Sequence, residues 1–313
     1  MSDNELTERL LSGDRRALAR AISKIESEDP EASNIISELY PHTGTALSVG
    51  FTGPPGVGKS SVIAKLIELY REEDKKVGVV SVDPSSPFTK GAILGDRIRL
   101  TEHFLDPGVF VRSMGSRGHL GGLAGGSQLA GLAMEAYGVD VVVYETMGVG
   151  QGEVEVASAA DTVVLVLQPG TGDSVQALKA GVMEIADIFC INKSDHPQAD
   201  GAVYEVRQIL DIGEELESQP WSPPILMTRG DTGEGVQELK ETIEKHRAHL
   251  EESGELEKRR RAAQRELVIS WATVRLEREM QERLDREDTE LMEKVYNREL
   301  DPISASEKIF KEA

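Results

Sequence analysis

The 313-residue chain has one cysteine, Cys190. A single thiol excludes a disulfide framework within the chain and fits a reducing cytoplasm. The stretch Asp187-Ile188-Phe189-Cys190-Ile191-Asn192 reads as a buried strand, which makes Cys190 a small core residue rather than a nucleophile. No run of 18 apolar residues occurs, so no membrane-spanning helix and no membrane partner is expected. The start, Met1-Ser2-Asp3-Asn4-Glu5, is acidic and lacks the basic-then-apolar layout of a signal peptide; the chain is expected to act in the cytoplasm. Basic residues are in deficit, with 35 Lys plus Arg against 55 Asp plus Glu and a formal charge of −20. Such a surface repels phosphate backbones, so no nucleic acid partner is expected. Arg outnumbers Lys, and a lysine-poor acidic surface suits either a protein working at high salt, where screening relieves self-repulsion, or simply a soluble acidic protein. The six histidines are scattered, without a His-rich tract or Cys/His cluster. His246 and His249 stand three residues apart, a spacing that suits a metal pair, but they read as a solvated helix face.

What is present is a long alternation of strand and helix, in a chain long enough to bury a sizeable core. Residues 1 to about 42 read as helical, with Leu11, Arg15, Leu18, Ile22 and Ile25 as a stripe and Ser12-Gly13 as a start signal. The segment Pro41-His42-Thr43-Gly44-Thr45 breaks that pattern. Candidate strands follow at Ala46–Thr52, Val77–Val82, Val109–Arg112, Val139–Tyr144, Thr162–Leu167, Ile188–Asn192 and Ile225–Thr228. Several are nearly continuous apolar runs, the mark of strands buried on both faces of a mostly parallel sheet. Helices are expected at Ser60–Arg71, Ser174–Ala186, Val203–Ile212 and Val236–Arg247. This alternation predicts an α/β fold with a doubly wound, mostly parallel sheet and helical extensions at both ends. Glu255 to Asn297 is charged and helical, with an apolar stripe through Leu267, Trp271, Val274, Leu276, Met280, Leu284, Leu291 and Val295. That stripe either covers the main domain or pairs with another copy.

Gly53-Pro54-Pro55-Gly56-Val57-Gly58-Lys59-Ser60 matches the P-loop pattern at every position, after an apolar strand and before a helix that opens at Ser61. Glycines let consecutive N–H groups converge on a phosphate, and the helix N-terminus adds positive field. Lys59 is expected to bridge the β- and γ-phosphates, and Ser60 to ligate Mg²⁺. Asn192-Lys193-Ser194-Asp195 follows a strand about 130 residues later, where P-loop GTPases read guanine. Asp195 can accept from guanine N1–H and the 2-amino group, whereas adenine would leave it desolvated and unpaired, a difference worth roughly 10⁴-fold. Asn192 is expected to tie this loop to the phosphate loop, and the Lys193 stem to lie over the base.

Three acids sit where loops leave the C-terminal ends of strands, the usual ligand edge of such sheets. Asp83 ends one strand, Asp96 lies in Leu94-Gly95-Asp96-Arg97, and Glu145 ends another in Glu145-Thr146-Met147-Gly148. Glu145 takes the place of the aspartate in the common DxxG pattern, and Gly148 would offer an N–H to the γ-phosphate. A metal set of Ser60, Asp83, Asp96 and Glu145 suits Mg²⁺, which keeps waters between itself and some carboxylates. No glutamine obviously positions the attacking water, Gln151 being the nearest, so slow hydrolysis accelerated by a partner is expected. The chain thus reads as a GTP phosphohydrolase, with Lys59, Asp83 and Glu145 at its catalytic centre.

Together these motifs closely resemble the methylmalonyl-CoA mutase-associated GTPases, the MeaB/ArgK family, over nearly the whole chain. Arg15-Arg16-Ala17-Leu18-Ala19-Arg20-Ala21-Ile22 resembles the family's N-terminal helix, and Val82-Asp83-Pro84-Ser85-Ser86 with Gly95-Asp96-Arg97 its first switch region. Glu145-Thr146-Met147-Gly148-Val149-Gly150-Gln151 is a highly specific match. Pro169-Gly170-Thr171-Gly172-Asp173, with Gln176, Lys179 and Gly181, resembles the loop called switch III, and Asp301-Pro302 the C-terminal segment. The resemblance implies a chaperone that gates adenosylcobalamin loading into an acyl-CoA mutase and protects that mutase, with Asp173, Gln176 and Lys179 at the interface. It also implies a homodimer held by helices outside the GTPase core. The expected division is residues 1–43, an N-terminal helical segment; 44–252, the P-loop GTPase domain; and 253–313, a C-terminal helical dimerisation extension. The stretch from Gly115 to Gly126 departs from the family in its glycine content and reads as a deformable loop. Two rival readings are a nickel-type metallochaperone GTPase, which should show a ligand cluster, and an ATP-dependent, transport-linked protein kinase, against which Asp195 argues.

Overall fold

The computed structural model describes residues 3–27, 29–84, 103, 105–116, 122–146, 159–170, 183–212 and 220–311. Three helices come first: α1 (Asp3–Leu11), α2 (Arg15–Glu26) and α3 (Ala32–Leu39). The expected single stripe from Leu11 is broken. Gly13, at φ 90°, ends α1, and the Asp14 carboxylate accepts from the N–H groups of Arg16 and Ala17 to cap α2. Each short helix therefore buries its own stripe: Leu6 and Leu10 in α1, and Leu18, Ala21, Ile22 and Ile25 in α2.

Seven strands form one parallel sheet in the order β3-β2-β4-β1-β5-β6-β7. They are β1 (Leu47–Thr52), β2 (Val77–Pro84), β3 (Val109–Ser116), β4 (Val141–Thr146), β5 (Thr162–Leu167), β6 (Ile188–Asn192) and β7 (Ile225–Thr228). Between and after them run α4 (Lys59–Glu72), α5 (Gly122–Ala136), α6 (Ala199–Ile212), α7 (Val236–Ser253), α8 (Glu255–Tyr296) and α9 (Pro302–Lys311). Side chains alternate between the two faces of the sheet. Val77 and Val79 join a core with α4 and α7, whereas Val80 and Val82 join one with α1–α3 and α5. A third apolar cluster sets α6 against Leu165, Leu167, Phe189 and Ile191. The sheet is thus covered on both faces, as the apolar strands require.

Two expectations about connecting segments need correction. Gly115 and Ser116 belong to β3, and Gly122 already opens α5, so the ends of the glycine-rich stretch are strand and helix; residues 117–121 lie outside the described residues. The glycines in α5 serve close packing. A Cβ on Gly131 would collide with the Tyr144 hydroxyl, and one on Gly125 would come within 3.1 Å of Trp271 Nε1. The expected helix Ser174–Ala186 lies outside the described residues up to 182, and Met183–Ile185 form a turn that leads into β6.

Helix α8 spans 42 residues, about 63 Å at 1.5 Å per residue. Its first half covers the main body: Leu267 and Trp271 pack against the α1–α3/α5 core. Arg259 binds the Asp187 carboxylate through Nη1 at 3.0 Å and Nη2 at 2.9 Å. Arg260 binds Asp161 through Nε at 2.9 Å and Nη2 at 2.7 Å. Both aspartates sit at the N-terminal edge of the sheet, just before β5 and β6, so these arginines staple the helix to the end opposite the P-loop. Further along, Leu276, Met292 and Tyr296 stay exposed, as do Ile303 and Phe310 of α9. No helix among the described residues is long and apolar enough to cross a membrane.

Candidate functional site

Strand β1 lies between β4 and β5, so the loop that leaves it emerges at the middle of the sheet. The loop takes its shape from glycines that no other residue could replace. Gly53 (φ 134°) passes so close to the Val166 carbonyl that a Cβ there would overlap it, and Gly58 (φ 96°) is pressed in the same way against the Asn192 amide. Helix α4 begins at Lys59, directly after Gly58. The buried Lys59 ammonium folds back and donates to the carbonyls of Gly53 at 2.6 Å and Pro54 at 2.9 Å. Ser61 is half-buried in the first turn of α4, Val57 is buried, and Pro54, Pro55 and Gly56 line the open side.

Ser60, in the first turn of α4, meets Glu145 near the end of β4. The Ser60 hydroxyl donates to Glu145 Oε1 at 2.5 Å, and the Ser81 hydroxyl donates to Oε2 at 2.9 Å. All three side chains are buried. Parallel pairing of β2 with β4 puts Ser81 directly opposite Glu145. Sequence reading missed Ser81; its only signal was a lone hydroxyl within the apolar run of β2. A hydroxyl and a carboxylate converging at the start of α4 offer hard oxygen donors of the kind Mg²⁺ prefers. Asp83 lies in β2, but its side chain is outside the described structure, and Asp96, Gly148, Gln151, Asp173, Gln176 and Lys179 lie outside the described residues altogether.

At the end of β6, Asn192 is a buried three-way tie. Its Nδ2 donates to the Val57 carbonyl of the phosphate loop at 2.8 Å, while its Oδ1 accepts from Gly230 N–H at 2.9 Å and the Thr228 hydroxyl at 3.3 Å. Lys193 is left-handed, at φ 59°, and its ammonium reaches the Gly56 carbonyl at 3.1 Å and Gln168 Oε1 at 2.5 Å. Ser194 N–H is held by the Thr228 carbonyl at 3.1 Å, which leaves Asp195 at the rim with its side chain 57% exposed. Arg229 Nε stands 3.6 Å from Asp195 Oδ1. Gly230 packs against α4, where a Cβ would meet Ser61 at 3.0 Å. Sequence reading assigned no role to this turn after β7, because nothing in its letters announces that it touches both loops.

Two further sequence expectations are answered here. Cys190 is fully buried beside the Thr228 hydroxyl, and burial pushes its thiol up to about 12, so it sits in the core as an unreactive group. His246 is not on a solvated face: it is fully buried, its Nδ1 2.9 Å from the Thr162 hydroxyl and its ring against Trp221. The His249 ring also lies against Trp221, tilted at 40° with centroids 5.4 Å apart. The reason is that α7 turns this face toward the start of β5, so the helix period placed the pair on the inner side. Among the described residues no group of three or more His, Cys, Asp or Glu is arranged to hold a metal ion.

A sequence profile described as "Methylmalonyl Co-A mutase-associated GTPase MeaB" matches residues 18–285. A Pyrococcus horikoshii protein that carries a GTPase name is 49% identical over 305 residues, covering 97% of this chain and 96% of its own. The GTPase ArgK of Escherichia coli is 35% identical over 283 residues, 88% of this chain and 84% of its own. The "Methylmalonic aciduria type A homolog, mitochondrial" of Caenorhabditis briggsae is 34% identical over 280 residues, 82% of this chain and 66% of its own. Among solved structures, one titled as a LAO/AO transport system kinase superposes with a TM-score of 0.68 at 26% identity, covering 99% of this chain and 96% of that one. With the glycine loop, the Glu145 carboxylate and the Asn192–Asp195 loop assembled at one rim of a parallel sheet, and the family profile matching most of its length, the chain belongs to the methylmalonyl-CoA mutase-associated GTPase family, MeaB.

Proposed function

We propose that the chain is a Mg²⁺-dependent GTPase that spends GTP on gating adenosylcobalamin loading into, and protecting, an acyl-CoA mutase of the methylmalonyl-CoA type. The observation that carries the nucleotide part is the buried Ser60–Glu145–Ser81 constellation beside the P-loop, joined through Asn192 to the loop that bears Asp195. GTP would lie with its phosphates over Gly53–Ser61 and its base against Asn192–Asp195. The Lys59 ammonium, now held by two loop carbonyls, would turn onto the β- and γ-phosphate oxygens, replacing neutral partners with charged ones. Ser60 and Glu145 would hold Mg²⁺, with Asp83 and Asp96 as further carboxylates; the ion supplies charge neutralisation at the leaving phosphate. Gly148 would offer its N–H to the γ-phosphate.

The partner reading is supported by the family's description, which names methylmalonyl-CoA mutase, and by the Caenorhabditis relative's name, which refers to methylmalonic aciduria. We further propose the division into residues 1–43, 44–252 and 253–313. It is supported by Gly254, left-handed between α7 and α8, and by the whole sheet lying between Leu47 and Thr228. The exposed apolar residues of α8 and α9 favour a homodimer. Phosphate release from GTP with magnesium tests the enzyme, with Lys59→Ala expected to fall by at least about 10²-fold. Tighter binding of ADP than of GDP would instead favour a kinase. Pull-down of a co-expressed mutase with GDP and with a non-hydrolysable GTP analogue tests the partner, and absence of binding in both states would remove it.

A further inference from the structure

The turn after β7 carries a charge aimed at the base-reading loop. Arg229 N–H donates to the Glu234 carbonyl at 2.8 Å, and the Arg229 carbonyl accepts from Gly233 N–H at 2.7 Å, so the turn is closed on itself. Gly235, at φ 76° and pressed against the Met227 carbonyl, completes the closure and admits no side chain. Gly230 N–H is locked onto Asn192. The Arg229 backbone is therefore fixed relative to Asn192–Asp195 before any ligand arrives. From that anchor the guanidinium faces three carboxylates: Asp231 at 3.1 Å from Nη2, Glu234 at 3.8 Å from Nη1, and Asp195 at 3.6 Å from Nε. Nε is buried and makes no hydrogen bond among the described residues, so a donor is held just beyond bonding distance of Asp195 Oδ1. A buried, unpaired donor is costly and calls for a partner that completes it.

We propose that Arg229 is a positioning residue for purine selection, acting through Asp195; this rests on the reading that Asp195 recognises guanine. Each carboxylate oxygen has two acceptor sites. Oδ1 can accept Arg229 Nε–H on its outer side while its inner side faces the purine edge. Asp231 and Glu234 flank the guanidinium on its solvent side, at 3.1 Å from Nη2 and 3.8 Å from Nη1, which leaves Nε turned toward Asp195. An ion pair at the rim contributes little by itself, but a carboxylate already turned toward the base loses less rotational freedom on binding. A lysine has no planar fork to reach all three carboxylates.

Calorimetric titration of the full chain with GDP and with ADP tests this. Arg229→Gln is expected to weaken GDP about fivefold and leave ADP unchanged. Arg229→Lys, which serves if the glutamine variant fails to fold, is expected to weaken GDP about threefold, again with ADP unchanged. In an Asp195→Ala background, Arg229→Gln is expected to leave GDP affinity unchanged, because the residue it acts through is gone. Unaltered GDP affinity in the single variants, or equal losses for GDP and ADP, would overturn the role of Arg229 alone. A wild-type chain that binds GDP and ADP equally would overturn the role of Asp195, and the proposal with it.

Discussion

Both carboxylate oxygens of Glu145 are occupied by serine hydroxyls that arrive from separate elements, Ser60 from α4 and Ser81 from β2. This arrangement holds the buried carboxylate in one rotamer, as the proposed metal-binding role requires. Ser81→Ala is expected to raise the magnesium concentration for half-maximal GTP hydrolysis about tenfold while leaving GDP binding without metal unchanged, as metal titrations would show. Gly58→Ala places a methyl group against the Asn192 amide at a backbone angle unsuited to alanine. It is expected to lower stability by about 2 kcal/mol in denaturant unfolding and to abolish nucleotide binding. His246 offers a pH test. Burial lowers its pKa to about 4 from an ordinary 6.5, against the opposing pull of Asp187. The folded chain therefore binds fewer protons than the unfolded chain between those values. The stabilisation is complete above about pH 6.5 and is lost as pH falls toward about 4. Unfolding curves at pH 7.5 and pH 5 are expected to differ by roughly 1–2 kcal/mol from this group, a difference that His246→Gln removes.

At the scale of elements, the strands were the most legible part. Thr162–Leu167, Ile188–Asn192 and Ile225–Thr228 stand at the bounds the apolar runs indicate, because strands covered on both faces need unbroken apolar sequence. The N-terminal helices were less legible, since one residue, Asp14, capping α2 through its side chain, splits what reads as a continuous stripe. The glycine-rich stretch misled for a related reason: glycine marks both a loop and a helix face pressed against Tyr144 and Trp271, and only the neighbours tell which. The staple of α8 onto β5 and β6 had no signature either, because Arg259 and Arg260 sit in a charged run like any other. Arg260→Ala strips two contacts from the buried Asp161 carboxylate and two from the carbonyls of Gly44 and Ala46. It is expected to cost about 2–3 kcal/mol in chemical denaturation, with Arg247 still partnering Asp161.

For the whole molecule, charge and exposed apolar surface set the expectations. With a formal charge of −20, raising KCl from about 0.05 M to 1 M should screen self-repulsion and raise Tm, read by a thermal melt. The exposed Leu276, Met292, Tyr296, Ile303 and Phe310 gather on α8 and α9, on the part of the chain that leaves the sheet. Sedimentation is expected to show a dimer, and Leu276→Glu with Ile303→Glu a monomer that keeps its GTPase activity.

The sequence by itself determined the parallel α/β class, the glycine loop ahead of α4, the polar quartet after β6 and the carboxylate near the end of β4. Each depends on short-range order: consecutive glycines before a lysine, a polar quartet after an apolar strand. What only the tertiary structure decided were contacts between residues far apart in the chain. Ser81 faces Glu145 through strand register, Asn192 reaches Val57 across the loop gap, and Arg229 comes to Asp195 because the β7 turn folds back on β6. Register and turn closure place side chains that no local pattern connects, and those placements define the site.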